Sequence, residues 1–372
     1  MTSKVKIEIE GDFIDSFVYS GVLFLVSSDL SLKAYSWDNV FKCSLKGLNA
    51  FKRHQLENYS RGSVSISNEL SGTYSVSEKS LKELELCSKN LDVWPSDINI
   101  YKNRFYVASE LGVDAFDFDW GDGRVTQFER STRIYDEVSF KLATSSHHRL
   151  AIAAGKSGLL SVTPHRKYAR REDINQLIDV PCSGCQWHST NLVANTIDGQ
   201  YTASYLSIPK KVDFDGTDRE YWDMVKVIKS TRPEIKERKE INGEKIVSSW
   251  ISGKGLFSVT QDLKLYWCNI ENSQEYELVD TKSELSTLKY FKAQSSPFGT
   301  VMEVGDDLKL FTSDGRYEVI AEEVVNWRLF PKSSYYLTHL HVIDDDALSI
   351  SLFDMPTVSS KFGYSKSEVS ID

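Results

Sequence analysis

Cys182-Ser183-Gly184-Cys185-Gln186-Trp187-His188 is the sharpest cluster of potentially reactive side chains in the chain. Two thiols separated by two residues can bind zinc or cycle a disulfide, and His188 could supply a third ligand. A structural zinc site needs four ligands, and no second Cys/His pair stands at finger spacing. The redox form of the motif precedes a helix in a βαβ unit, whereas this stretch reads as a strand. The expectation is two thiols packed at the start of a strand, with no metal and no cofactor.

Asp114, Asp117, Asp119 and Asp122 crowd one stretch that lacks the register and the distal Glu of an EF-hand loop. Asp119–Gly123 reads instead as a turn between strands, with glycine supplying a positive φ. His147-His148-Arg149, Asp306-Asp307 and Asp344-Asp345-Asp346 also read as turns. His165–Arg171 is the one dense basic cluster, in which Arg166, Lys167, Arg170 and Arg171 surround an aromatic. That composition fits a nucleic-acid phosphate or an acidic protein partner. A net charge of −9 and a pI near 5.4 weigh against nucleic acid. No Walker loop, G-x-S-x-G or H-E-x-x-H is present, and no catalytic residue is assigned.

The elements that carry these residues are strands. Gly255–Ile270 (GLFSVTQDLKLYWCNI) reads as a hairpin turning at Gln261-Asp262, with Leu263, Leu265 and Trp267 alternating against Lys264, Tyr266 and Cys268. One hairpin cannot bury such a surface, so it belongs to a stack. Similar hairpins turn near residues 29, 110, 156, 198, 306 and 345. Most steps between them are about 40–46 residues, the range of four-stranded propeller blades. The first step is about twice that period. Inside it, Gly62–Glu78 turning near Leu70, with Ser80–Leu86 as an outer strand, supplies an eighth unit; otherwise that stretch is a long outer hairpin of the first. Phe41–Leu45 reads as a strand following the first hairpin.

The wide step between 198 and 262 carries an insertion, residues 209–247. Thr217-Asp218-Arg219-Glu220 matches a capping box. Tyr221, Met224, Val225 and Ile228 then recur at helical spacing, and Arg232-Pro233 gives a stop, so a helix is expected near 217–231. Its apolar face, Tyr221, Met224, Val225 and Ile228, either packs against the propeller's own side or anchors another protein, with Tyr221 and Trp222 then the hot spots by residue type.

Third strands reading LKAYSWD at Leu32–Asp38, LKLYWCN at Leu263–Asn269 and LKLFTSD at Leu308–Asp314 resemble degenerate WD40-type repeats. Trp37-Asp38 stands where that family's Trp-Asp pair stands. The other units lack the dipeptide at the end of their third strands and no Gly-His occurs, so the family's hydrogen-bond network is not carried over. The resemblance implies a scaffold for protein contacts. A ring also explains Lys4–Glu10, which alternates perfectly yet has no neighbour: it closes the ring on the last blade, which lacks an outer strand.

The chain is therefore expected to be all-β, one propeller of seven or eight four-stranded blades closed by its N-terminal strand, with the inserted helix and a polar tail at 356–372. Five cysteines, no apolar signal region at the N-terminus and no membrane-spanning stretch give a cytoplasmic expectation. The functional expectation is a non-catalytic interaction scaffold or sensor subunit of a larger intracellular assembly. The alternatives are a hydrolase or lyase with its site at the axial channel, and a subunit touching nucleic acid through residues 165–171.

Overall fold

The structure, a computed structural model, describes residues 3–60, 66–121, 124–145, 149–163, 174–253, 255–270, 275–278, 292–312 and 317–354. Seven sheets follow one another around an axis. Their innermost strands, for blades 1 to 7, are Phe13–Tyr19, Asp97–Tyr101, Lys141–Thr144, Cys182–His188, Glu244–Ser252, Lys292–Ser296 and Asn326–Leu329. The hairpin turns expected near residues 29, 110, 156, 198, 262, 306 and 345 each join the second and third strands of a blade.

The core lies in the wedges between neighbouring blades. Between blades 1 and 2 it is an aromatic stack in which Phe24, Phe116, Phe118 and Phe128 surround Phe105. Between blades 5 and 6 Trp250 stacks on Phe257 at 5.2 Å. Gly255 shows how tight blade 5 is: a Cβ there would lie 2.0 Å from the indole nitrogen of Trp267 on the facing strand.

Ring closure follows the expectation. Val5–Glu10 pairs antiparallel with Ala347–Leu352 along its whole length, and Val5, Ile7 and Ile9 are fully buried. The eighth unit is overturned. Gly72–Val76 is a single strand that pairs in parallel with Val5–Glu10 and widens blade 7 to five strands. Its serine-rich sequence buries too little to build a sheet of its own, so it pads an existing one. Ser80–Leu86 is not an outer strand either. Ser77 caps a short helix at Glu78–Lys82, and the outer strand of blade 1 is Glu85–Asn90.

Phe41–Leu45 is likewise helical rather than extended. The third strand ends at Ser36, whose hydroxyl caps α1 (Trp37–Ser44). Trp37, Val40, Phe41 and Ser44 form its buried face at i, i+3, i+4 and i+7. Helix α2 (Ala50–Ser60) follows, and its Leu56 and Tyr59 join the same core as the closing strand.

Apart from the added strand Gly72–Val76, strands within a blade are antiparallel, so connections alternate between the two faces of the ring. First-to-second and third-to-fourth connections share one face, here the insertion face, from which both α1–α2 and the inserted segment of blade 4 leave. Second-to-third turns and the passages between blades share the other, the turn face. In blade 4 the outer strand is Glu234–Arg238, so it falls within the stretch 209–247 expected to be inserted.

The buried closing strand predicts a large effect of a small change. Ile7→Ala should cost about 2–5 kcal/mol in urea unfolding, and removal of residues 1–10 should prevent cooperative folding. An unchanged unfolding midpoint in either variant would show that the ring does not depend on this strand.

Candidate functional site

The inserted segment of blade 4 forms α3 (Asp218–Ser230). Its start is as the sequence implies: the Thr217 hydroxyl accepts from the Glu220 N–H, and the Glu220 carboxylate accepts from the Thr217 N–H at 2.8 Å. Thr231 ends it before Arg232-Pro233. Tyr221 and Val225 are buried, Met224 and Ile228 half-buried. The apolar face of the helix is thus turned inward. Tyr221 packs its ring against Phe214 at 5.5 Å and donates its hydroxyl to the Pro209 carbonyl. Trp222 points outward at 54 % exposure, with Val227 also exposed. At the other end, buried Arg149 of blade 3 donates to the Lys229 carbonyl at 2.8 Å while its guanidinium lies 4.2 Å from the Tyr205 ring. A cation at a helix C-terminus is favourably placed for the macrodipole. The helix is therefore tied to blade 3 at its end, while near its start Tyr221 packs within the inserted segment.

The axis carries a second group that linear motifs did not reveal. Arg328 of blade 7 holds Asp15 of blade 1 bidentately, at 2.5 and 2.6 Å, and reaches Asp97 of blade 2 at 3.1 Å. Lys141 of blade 3 bonds Asp97 at 3.0 Å, and Asp97 also accepts from the Leu142 N–H. Burial works against the Asp97 carboxylate, but Lys141 and Arg328 overcome it and hold its pKa below the usual range. Burial opposes the Arg328 charge too, and Asp15 with Asp97 raises its pKa all the same. Lys292 of blade 6 donates to Asn326 and to the Trp327 carbonyl; burial, then Lys141, lowers it to about 7. Gln186 of blade 4 reaches the Ala293 carbonyl of blade 6 at 2.7 Å, and Lys332 of blade 7 reaches the Thr144 carbonyl of blade 3. Solvent still touches Lys332, yet the protein around it lowers its ammonium to about 8. Inner strands on different sides of the ring are therefore cross-linked by side chains.

Asp15 and Asp97 are consequently both committed to cations. One pair does have catalytic spacing: Ser16 Oγ lies 2.9 Å from His341 Nδ1. Both residues are buried, the neighbouring Asp15 is held by Arg328, and His341 Nε2 has no hydrogen-bond partner among the described residues. His339 donates from Nε2 to the Ser60 carbonyl, which leaves its Nδ1 unprotonated and without a partner. These groups join blades 1 and 7 to α2 and offer no reactive atom to solvent.

Cys182 and Cys185 lie on the innermost strand of blade 4, where a bulge after Cys182 turns both toward the core shared with blade 3. Burial raises the Cys182 thiol to about 12 and the Cys185 thiol well above its ordinary value. Burial, then Lys332, lowers His188 to about 4. Such thiols are poor nucleophiles at neutral pH. Asp114 pairs with Arg133, Asp117 with Arg104, and Asp119 accepts from Gln127. The strand they occupy runs to Gly121, past the start of the expected turn. His147, His148 and the basic cluster with Arg166, Lys167, Arg170 and Arg171 lie outside the described residues, as does the tail at 356–372. Among the described residues no group of three metal-ligating side chains converges, and no helix is long and apolar enough to cross a membrane.

No family model matches the sequence, and no curated protein matches it. Among solved structures, a chain of "Crystal Structure of Mitotic Checkpoint Complex" superposes with a TM-score of 0.49 at 10% identity, covering 93% of this chain and 89% of that one. At that identity the likeness is one of fold alone. The ring of seven blades, each built on four strands, is a β-propeller.

Two predictions follow from the buried charges and rings. Arg328→Ala leaves buried Asp15 without its cation and Asp97 with Lys141 alone, and should cost about 3–5 kcal/mol. Arg328→Lys should recover only part of it, since an ammonium cannot bridge both acids bidentately; full stability of either variant in urea would refute the axial role. The depressed histidines set a pH window. Burial lowers His339 to about 4, and lowers His341 further below the ordinary 6.5. The unfolded chain takes up protons below about pH 6.5 while the folded chain refuses them. Stability is therefore full near pH 7 and falls between about 6.5 and 4, on the order of 3 kcal/mol for His339 alone. A His339→Gln variant, which still donates to Ser60, should flatten that fall; a melting temperature constant from pH 7 to 4.5 would contradict it.

Proposed function

We propose that the chain is a non-catalytic protein-interaction scaffold, acting as a subunit of a larger intracellular assembly. The observation that carries this reading is the inserted helix of blade 4. It is capped at its start, tied to Arg149 at its end, and buries Tyr221 and Val225 while holding Trp222 outward at 54 % exposure. A fixed helix presenting an aromatic with little side-chain entropy to lose is a good anchor for a partner. Five free thiols support a reducing compartment such as the cytoplasm. The alternative of a hydrolase or lyase at the axis is weakened by Arg328, which engages both Asp15 and Asp97 and leaves neither as an acid or base. The nucleic-acid alternative depends on Arg166, Lys167, Arg170 and Arg171 alone.

The test is quantitative affinity purification of the full chain after mild cross-linking, compared with a Trp222→Ser/Val227→Ser variant. The variant should keep its melting temperature and lose at least one stoichiometric partner, with affinity reduced about 30-fold or more if Trp222 is a hot spot. Tyr221→Ser, in contrast, should lower the melting temperature because its ring is internal. Retention of every partner by the double variant would sink the helix as a contact, and a chain that purifies alone would sink the scaffold reading.

A further inference from the structure

The two faces of the ring differ in charge, and the turn face combines acid with exposed apolar side chains. Its second-to-third turns carry Asp29, Glu110, Asp198, Asp262, Asp306 and the run Asp344–Asp346. The passages between blades add further acids, including Asp92, Asp136, Glu137 and the pair Glu322-Glu323. Among the described residues of these connections the cations are Lys156, Lys239 and Lys264. The last is paired with Asp262 at 3.6 Å, and Lys239 with Glu237 at 3.2 Å. The insertion face differs: Lys42, Lys52, Arg53, Lys210, Lys229 and Lys332 all stand in its connections.

Within the turn face, blades 2 and 3 build a rigid apolar patch. Buried Ser139 is its hub: its N–H donates to the Ser109 carbonyl at 3.0 Å, and its carbonyl accepts the Ser96 hydroxyl at 2.5 Å. Those bonds stitch three separate connections together. From them project Trp94 at 59 %, Leu111 at 50 %, Val138 at 45 % and Phe140 at 47 % exposure. Phe140 is seated over Gly155, where a Cβ would lie 2.8 Å from its ring. Pro95 stiffens the segment bearing Trp94. Four large apolar side chains on hydrogen-bonded turns form the kind of contiguous exposed patch that marks an interaction site. Exposed acids alternate with them: Asp92 before Trp94, Glu110 before Leu111, Asp136 and Glu137 before Val138.

We infer that this patch docks a basic segment of another protein, one whose aromatic or aliphatic anchors are flanked by Lys or Arg. The inference rests on the reading of the chain as an interaction module, but concerns the face opposite the inserted helix. The apolar cluster supplies the buried centre of the contact and Trp94 its strongest single anchor. The acids at its rim and across the face supply attraction for a cationic partner and repulsion for an acidic one. The surface is formed before binding, so little ordering entropy opposes docking on this side.

The probe is a display library of random short peptides, selected against the immobilised full chain and sequenced. Enriched peptides should combine Lys or Arg with aromatic or aliphatic residues, and synthetic copies should bind in fluorescence anisotropy. Binding should weaken at least tenfold between about 0.1 M and about 1 M salt, as the Debye length falls from about 10 to about 3 Å. Trp94→Ser/Val138→Ser should cost tenfold or more at an unchanged melting temperature. Asp92→Lys/Glu110→Lys should do the same while leaving the apolar centre in place. Enrichment of acidic or neutral peptides, no enrichment, or binding indifferent to both variants would overturn the inference. So would concentration-dependent self-association in sedimentation that Trp94→Ser abolishes, since the occupant would then be the insertion face of a second copy. None of these outcomes touches the helix, whose role stands or falls with Trp222.

Discussion

A ring of separate sheets keeps an open seam until the first strand of the chain joins the last blade. Here the seam is closed by Val5–Glu10 lying against Ala347–Leu352, with Val5, Ile7 and Ile9 fully buried. Everything else depends on that contact, because the seven wedges of core exist only while every blade has a neighbour on both sides. The seam is reinforced from outside. Gly72–Val76 covers what would have been the free edge of the closing strand, and α1 and α2 place Trp37, Phe41, Leu56 and Tyr59 into the same core. Even the surface charge takes part, since Lys4 and Asp354 meet at 2.7 Å across the joint. The long insertion of blade 1 is therefore part of the lock and not an ornament on one blade.

At the centre a different problem is solved. Seven innermost strands surround a space too narrow to solvate charges well, yet Asp15, Asp97, Lys141, Lys292 and Arg328 all stand there. Arg328 makes this tolerable by bridging two acids with one planar fork, a geometry no lysine can copy. Longer reaches, Gln186 to Ala293 and Lys332 to Thr144, cross the axis and tie blades that share no strand pairing. A buried ion-pair network seldom adds net stability over an apolar core, but it penalises any other register of the blades. The axis thus fixes how the blades are phased around the ring.

Much of this was legible in the residues. The turn positions, the alternation of Leu263, Leu265 and Trp267, the lone strand Lys4–Glu10 and the Thr217–Glu220 capping box are local signals, and local signals survive tertiary context. The misreadings share one cause. Ser36 and the i, i+3, i+4, i+7 pattern of Trp37, Val40, Phe41 and Ser44 mark a helix, but the strand just before it invited another strand. Gly72–Val76 has a strand's composition without a hairpin partner, and only the distant Val5–Glu10 explains it. The axial charges Asp15, Asp97, Lys141, Lys292 and Arg328 lie on five different innermost strands, so no short motif contains two of the partners. Their signal is a charged residue placed in an otherwise apolar inner strand. The helical spacing of Tyr221 fits either an internal contact or a partner, and its ring packs on Phe214 with its hydroxyl on the Pro209 carbonyl.

The parallel partner of the closing strand also bears on how a ribosome can deliver this ring. Val5–Glu10 is made before the blades and Ala347–Leu352 within the last of them, so the seam is a highly non-local contact. Such contacts are slow to form and leave edges open to aggregation in the interval. Gly72–Val76, by contrast, is translated soon after the N-terminus, and closing that shorter loop costs about 1.5 kcal/mol less entropy. The early parallel pair, with the apolar faces of α1 and α2 beside it, gives the first strand a berth during synthesis. One edge is already taken when the last blade arrives, and the nascent chain waits with a single, correctly facing edge to offer it.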